Sequence, residues 1–314
     1  MAAKRYTDVH GGRAEGITLL LAHGAGTHKE HWEPMLERLF DTQHSKPGTL
    51  RIREAWAFDW QSHGDSAVLN RGALDAHPRL ISISEWAQAL VAFVNSKFAV
   101  HHRIVVIGHS SGASAWLYTT KFFPFRIPYI SMIIVEPMLA DSGCSDESGM
   151  IMSEHRLIGA QGWWPSNEAV HNFSSSNTLS STWDTRALSL YSKYGTYTEQ
   201  LVPTSARIVP KCNIKSENGC YLDIESTLDA MGQIAKVCQN VPIHAIFGER
   251  SDVIPRRIQD SAISSPTGRQ IASVTRIRGA GHMVLQEQPD VLANHIAHLF
   301  DRLAVDFREA SMHL

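Results

Sequence analysis

The chain has 314 residues, 43% of them hydrophobic and 19% charged, with a formal net charge of −2. That balance suits one large domain, or a domain carrying an insertion, and excludes a low-complexity or disordered chain. Near-neutral charge leaves no electrostatic footprint for nucleic acid or an anionic membrane, so neither is expected as a partner.

Met1 to Arg13 lacks the apolar stretch of a secretory signal, and nowhere do ~18 apolar residues run together, so no membrane span is expected. Ile17 to Ala22, ITLLLA, reads as a central strand entering the loop His23-Gly24-Ala25-Gly26. Trp32, Met35, Leu36, Leu39 and Phe40 recur at helical spacing within Thr27 to Phe40, and Pro34 fits a first turn, where its missing N–H costs nothing. Arg51 to Phe58 is the next strand and runs into a polar turn in which Asp59, Gly64, Asp65 and Ser66 are expected to stabilise a loop. Ser84 is the expected N-cap of a helix through Phe98, built on Trp86, Leu90, Phe93 and Val94. Arg103 to Ile107 is a β-branched run typical of a strand buried on both faces; a helix after it stops near Pro124. Tyr129 to Val135, YISMIIV, is another strand and ends at Glu136-Pro137.

Strand and helix alternate this far, which predicts a parallel sheet with helices on both faces. From Met138 to Asn240 the alternation breaks into Gly/Ser-rich joints and short helical patterns with no comparable strand run. It returns with Val241 to Phe247, a helix from about Pro255, the strand Ile271 to Ile277, and a last helix from Pro289 to Phe307. The expected organisation is therefore an α/β core of residues 1–137 and 241–314, with a mostly parallel, doubly wound sheet. Residues 138–240 form a helical cap inserted over the carboxyl ends of the strands, the edge where open α/β sheets bind ligands. Trp163, Trp164 and Trp183 are the candidates for lining an apolar substrate pocket there. Cys144, Cys212, Cys220 and Cys238 show no metal-ligand spacing and read as reduced thiols of an intracellular protein; neither metal nor cofactor is expected.

The chemistry centres on Gly108-His109-Ser110-Ser111-Gly112, which fits G-x-S-x-G between a strand and a helix. A serine on so sharp a turn has strained backbone angles, and flanking glycines let strand and helix pass closely. Ser110 would present its Oγ at the carboxyl edge of the sheet. A hydroxyl is a feeble nucleophile at neutral pH and needs a neutral imidazole in reach. His282, in Gly279-Ala280-Gly281-His282 between the last strand and last helix, is the candidate base at that edge. The oxyanion formed on attack needs donors already aimed at it: the backbone N–H of Ser111 and, from the loop after the first long strand, that of Ala25.

The succession HGAG, D-x-x-x-H-G-D-S, GHSSG, a cap, GERSDVIP and AGHMVLQEQP resembles the α/β-hydrolase superfamily over nearly the whole chain. In the cap, Trp164-Pro165-Ser166 and Thr182 to Leu188 resemble a subgroup of bacterial and fungal hydrolases. That subgroup is related to fungal enzymes of toxin and polyketide pathways, among them a peroxisomal acyl-CoA hydrolase of mycophenolic acid biosynthesis. The resemblance implies an α/β-hydrolase fold and a triad completed by a carboxylate. In the superfamily the acid usually sits three residues beyond the glycine ending the strand after the cap; counting from Gly248 gives Ser251, with Asp252 one place further. Glu136, ending the strand before the cap, is the other position, and the acyl-CoA hydrolases place their acid there. Glu136 is favoured, with Asp252 as the alternative. The implied activity is hydrolysis of an ester or thioester of a small apolar acyl group, acyl-CoA included, through an acyl-enzyme. The alternatives are a carboxylesterase or lactonase and a non-catalytic ligand binder on the same fold. Met312-His313-Leu314 resembles the peroxisomal import tripeptide, with a basic residue before a terminal leucine, which would make an import receptor a partner.

Overall fold

Four apolar runs of six or seven residues, each buried along nearly its whole length, set the centre of the fold. In the computed structural model, which describes residues 1–8, 15–43, 51–76, 80–139, 162–178, 180–203 and 205–312 (side chains to 302), they become strands of one sheet. The strands are β1 (Ala3–Tyr6), β2 (Ile17–Ala22), β3 (Ile52–Phe58), β4 (Arg103–His109), β5 (Tyr129–Val135), then β6 (Thr196–Val202) and β7 (Ser205–Pro210) outside the sheet, and β8 (Ile243–Gly248) and β9 (Ser273–Ile277). The seven-stranded sheet has the order β1-β3-β2-β4-β5-β8-β9, parallel except for β1.

Because side chains alternate across a strand, each apolar run feeds two cores. Leu20, Val106, Ile134 and Phe247 point to one face, and Leu21, Ile107, Ile133 and Ile246 to the other. The second face is covered by α1 (Glu33–Gln43) and by the last helix of the chain. The first is covered by α4 (Ile83–Val94) and α5 (Ser111–Thr119), after the short α2 (Gly64–Leu69) and α3 (Arg71–Ala76). This is the doubly wound arrangement expected from the alternation.

Residues beyond β5 supply α6 (Asn167–Ser176), α7 (Thr185–Leu190), α8 (Ile214–Leu222), α9 (Ile224–Val237), α10 (Arg256–Ala262), α11 (Val284–Glu287) and α12 (Pro289–Met312). The segment expected to be helical also holds the antiparallel hairpin β6–β7. β6 is largely exposed and polar, and β7 buries only Ile208 and Val209, so no long apolar run announces them. Trp164, Val170, Trp183, Leu188, Tyr191, Ile208 and Met283 form a small separate core. α9 instead buries Ala230, Met231 and Ile234 in the large core beside α5, although it precedes residue 240.

Local chemistry moves other boundaries. The N-cap of α4 is Ser82, not Ser84: Ser82 Oγ accepts the Glu85 N–H at 3.1 Å while Glu85 Oε2 accepts the Ser82 N–H at 3.0 Å. Only Ser82 has a glutamate three residues on, so only it can close this reciprocal pair. The four-residue edge strand β1 carries no sequence signal beyond alternation, and its Lys4 and Arg5 pair with Glu33 and Glu54 at 2.6 Å. Among the described residues no helix is long and apolar enough to cross a membrane. Cys144 and the His313-Leu314 end of the tripeptide lie outside the described residues.

Candidate active site

β4 ends at His109, and α5 begins at Ser111, so the whole reversal falls on Ser110, at φ 54° and ψ −121°. An L-residue there is strained by about 1–3 kcal/mol and needs external bracing. The Ser110 N–H donates to Val135 O at 2.9 Å, and its carbonyl accepts from Ala113 at 3.0 Å, Ser114 at 3.3 Å and Met138 at 3.2 Å. The flanking glycines have steric reasons: a Cβ on Gly108 would enter the Ala113 backbone, and one on Gly112 the Ala22 and His23 carbonyls.

His282 reaches this turn from the loop between β9 and α11. Its Nε2 lies 3.1 Å from Ser110 Oγ, and its Nδ1 lies 3.1 Å from Glu136 Oε2. All three residues are buried, at 3%, 5% and 0% exposure for Ser110, His282 and Glu136, so water does not compete for these bonds. Since the carboxylate can only accept, Nδ1 carries the proton and Nε2 is left to accept from the hydroxyl. The arrangement can lower the cost of removing the Ser110 proton and stabilise the imidazolium that results.

The two candidate acids approach the same histidine from different directions. Glu136, itself at φ 44°, takes the ring; its Oε1 accepts the Gly248 N–H at 2.6 Å and Gln259 Nε2 at 3.1 Å. Asp252 takes the backbone: its Oδ1 accepts the His282 N–H at 2.8 Å, and Arg250 reaches its Oδ2 at 3.2 Å. Gly281 leaves room for that carboxyl, whose Cγ would stand 2.6 Å from an added Cβ.

On the other side of Ser110 lies the loop after β2. The Gly24 carbonyl accepts from His23 Nδ1 at 2.7 Å, Thr27 Oγ1 at 2.7 Å and Thr27 N–H at 3.3 Å. A trans peptide then sends the Ala25 N–H the opposite way, out of that loop. Ser111 is the first residue of α5, so its N–H has no acceptor within the helix. Neither N–H has a partner among the described residues. A Cβ on Gly24 would stand 3.1 Å from Ser110 Cβ, which is how closely this loop crosses the serine.

His109 falls at a position that G-x-S-x-G leaves open, so the motif carries no signal for it. Buried, and pushed down to about 3 chiefly by desolvation, its ring is neutral and donates from Nε2 to the His282 carbonyl at 2.8 Å. Gln259 and Arg276 likewise carried no local sequence signal.

Asp59 is fully buried and accepts the Lys29 N–H and Nζ, both at 2.9 Å. Desolvation pushes its carboxyl up to about 6 against the pull of Lys29. Asp65 bridges Lys29 and Lys211, 2.6 Å from each, and so ties the end of β7 to the core. Gly64 adopts φ 51° against the Asp59 carboxyl, and Ser66 joins the Asp59 carbonyl to the Ala2 N–H. Of the cap tryptophans, Trp164 and Trp183 are buried, Trp183 edge-on to His31 at 5.3 Å; Trp163 is half exposed and outside the apolar cluster. The Asp184 N–H donates to Gln286 O at 2.8 Å and Met283 enters the small core, which sets this segment against the His282 loop.

A family model described as the alpha/beta hydrolase family matches residues 19–295. The type I acyl-CoA thioesterase mpaH of Penicillium roqueforti is 25% identical over 199 residues, covering 61% of this chain and 43% of that protein. The peroxisomal membrane protein LPX1 of Saccharomyces cerevisiae is 31% identical over 132 residues, covering 40% and 32%. The matches thus span less than half the length of these curated relatives. The crystal structure of the peroxisomal alpha-beta-hydrolase Lpx1 superposes with a TM-score of 0.75 at 19% identity, covering 97% of this chain and 82% of that one, a likeness of fold. With the family model spanning the sheet from β2 to the last helix, and the sheet order and sharp serine turn in agreement, the chain belongs to the alpha/beta hydrolase family.

Proposed function

We propose that this protein is a serine hydrolase that cleaves an ester or thioester through an acyl-enzyme. Ser110 Oγ attacks the carbonyl carbon as His282 Nε2 takes its proton, and Glu136 holds the imidazole tautomer and stabilises its cation. The oxyanion is received by the N–H groups of Ala25 and Ser111. Protonated His282 then gives its proton to the departing oxygen or sulfur. Water, deprotonated by the same imidazole, attacks the acyl carbon and returns Ser110. The supporting observation is the continuous contact of Ser110, His282 and Glu136 at 3.1 Å each, from residues 172 and 146 positions apart.

Within that class the proposed substrate is the thioester of a small apolar acyl group, acyl-CoA first, serving secondary metabolism. Likeness to an acyl-CoA thioesterase supports this choice. A peroxisomal setting belongs to the same proposal, supported by likeness to a yeast protein named for that organelle.

The test is labelling with a fluorophosphonate probe beside turnover of p-nitrophenyl esters of rising chain length and of acyl-CoA thioesters. An adduct on Ser110, lost in Ser110→Ala together with hydrolysis, is the expected result. Folded wild-type protein that takes no label and turns over no ester or thioester points to a ligand binder instead.

A further inference from the structure

Gln259, on α10 and 2% exposed, sits behind the Glu136 carboxylate, on the side away from His282. Its Nε2 lies 3.1 Å from Glu136 Oε1 and 3.4 Å from Oε2. An amide can present either an oxygen or an NH2, so its orientation depends on its other neighbour. Here that neighbour is Arg276 of β9, whose Nη1 stands 2.7 Å from Gln259 Oε1. A guanidinium only donates and a carboxylate only accepts, so both neighbours require the same orientation: oxygen to Arg276, NH2 to Glu136. Arg276 is fixed in turn by Asp260 at 2.6 Å and lies over the Phe247 ring, 4.9 Å from its centroid.

We propose that Gln259 is a positioning residue for hydrolysis: its amide, aimed by Arg276, saturates Glu136 Oε1 together with the Gly248 N–H and so leaves Oε2 turned to His282 Nδ1. This rests on the hydrolase reading and deepens it. A fully buried carboxylate must be hydrogen-bonded to remain charged. Glu136 sits on a backbone with φ 44°, and without the amide only the Gly248 N–H would hold Oε1. The carboxylate could then swing, and a misplacement of about 1 Å costs on the order of 10²-fold in rate.

The charged groups about Gln259 are Glu136 from the end of β5, Arg276 from β9, and Arg256 and Asp260 on its own helix, with His282 beyond Glu136. They give Gln259→Glu a distinctive signature. At low pH two carboxyls about 3 Å apart share one proton, and the new acid donates to Glu136 as the amide did. As pH rises that proton is lost, and two like charges push Glu136 off the imidazole.

The test measures kcat and KM on a p-nitrophenyl ester across pH for wild type, Gln259→Leu and Gln259→Glu. Gln259→Leu lowers kcat by about 10–100-fold at all pH with KM within about twofold. Gln259→Glu keeps near-wild-type kcat at the acidic end and loses it, relative to wild type at each pH, toward the alkaline end. Should the leucine variant fail to fold, the glutamate profile decides. If active wild type is matched by every folded variant in kcat and in pH profile, the Gln259 role falls and the hydrolase reading stands. If wild type neither labels at Ser110 nor hydrolyses any ester, both fall together.

Discussion

Glu136→Gln tests the choice of acid, and the surrounding bonds dictate its effect. The Gly248 N–H and the Gln259 NH2 both donate to the position of Glu136 Oε1, so the new amide must put its oxygen there. Its NH2 then faces His282 Nδ1, which must become an acceptor, moving the ring proton to Nε2. In that tautomer the ring cannot take the Ser110 proton. In a serine protease the same change of acid to amide costs about 10⁴ in kcat, which corresponds to about 5 kcal/mol of barrier. Asp252→Asn behaves differently. An asparagine oxygen still accepts the His282 N–H, and the pair lost with Arg250 is partly exposed on both sides. Such pairs contribute ~0–1 kcal/mol, so a loss no greater than about fivefold is expected. The assay is kcat on one p-nitrophenyl ester, with circular dichroism to establish folding. Near-normal turnover in Glu136→Gln, with about a hundredfold loss in Asp252→Asn, would refute the reasoning.

Ser110→Gly should abolish labelling yet raise stability by about 1–3 kcal/mol in a melt, since glycine accepts φ 54° without strain, whereas Ser110→Ala should bring no such gain. Gly112→Ala should fail to fold or lose more than ~3 kcal/mol, because its methyl has backbone carbonyls, not a movable side chain, in its way; a normal melt would contradict this. Lys211→Met should loosen the end of β7 and raise KM by up to about fivefold with kcat nearly unchanged, an unaltered KM counting against the contact with Asp65. Acid should unfold the protein early: burial holds His23 to about 4 and His109 to about 3, and lowers His28, His31 and His63 in the same sense. The unfolded rings protonate near 6.5, so this stability is intact above that pH and falls as pH drops toward those values, by roughly 1 kcal/mol per pH unit per ring. Asp59, raised to about 6, and Glu217, raised to about 8 by burial, gain as pH falls through those values and offset two of the five rings. Unfolding followed by circular dichroism is expected between about pH 6 and 4, against an ordinary stability of ~5–15 kcal/mol; a protein fully folded at pH 4 would contradict the scheme.

What the sequence revealed and what it hid divide along a physical line. Runs such as ITLLLA and YISMIIV are legible because a strand buried on both faces must be apolar throughout. GHSSG is legible because backbones that cross within contact distance need glycine, and HGAG and GAGH because Gly26 and Gly279 take positive φ while Gly24 and Gly281 leave room for neighbouring side chains. β1 and β6 escape because strands facing water need no apolar run, and β7 because it buries only Ile208 and Val209. The choice between Glu136 and Asp252 could not be settled by counting residues, since both reach His282, one at the ring and one at the backbone. Gln259, Arg276 and His109 act across 123, 17 and 173 positions and leave no local pattern.

The strain at the site is hidden for the same reason. Ser110 and Glu136 are both non-glycine residues with positive φ, each one step beyond a strand end. In each case the next strand in the sheet order β4-β5-β8 accepts the N–H: Val135 O for Ser110 at 2.9 Å and Ile246 O for Glu136 at 2.8 Å. The parallel ladder thus runs one rung past its own strands and uses that rung to hold a backbone conformation that local preference opposes. A register shift between β5 and β8 would release Glu136, and through the Val135 carbonyl would disturb Ser110 as well. The sheet therefore fixes the relative placement of Ser110 and Glu136 directly, while His282, supplied by a loop, is kept in register by the His109 and Asp252 bonds to its backbone.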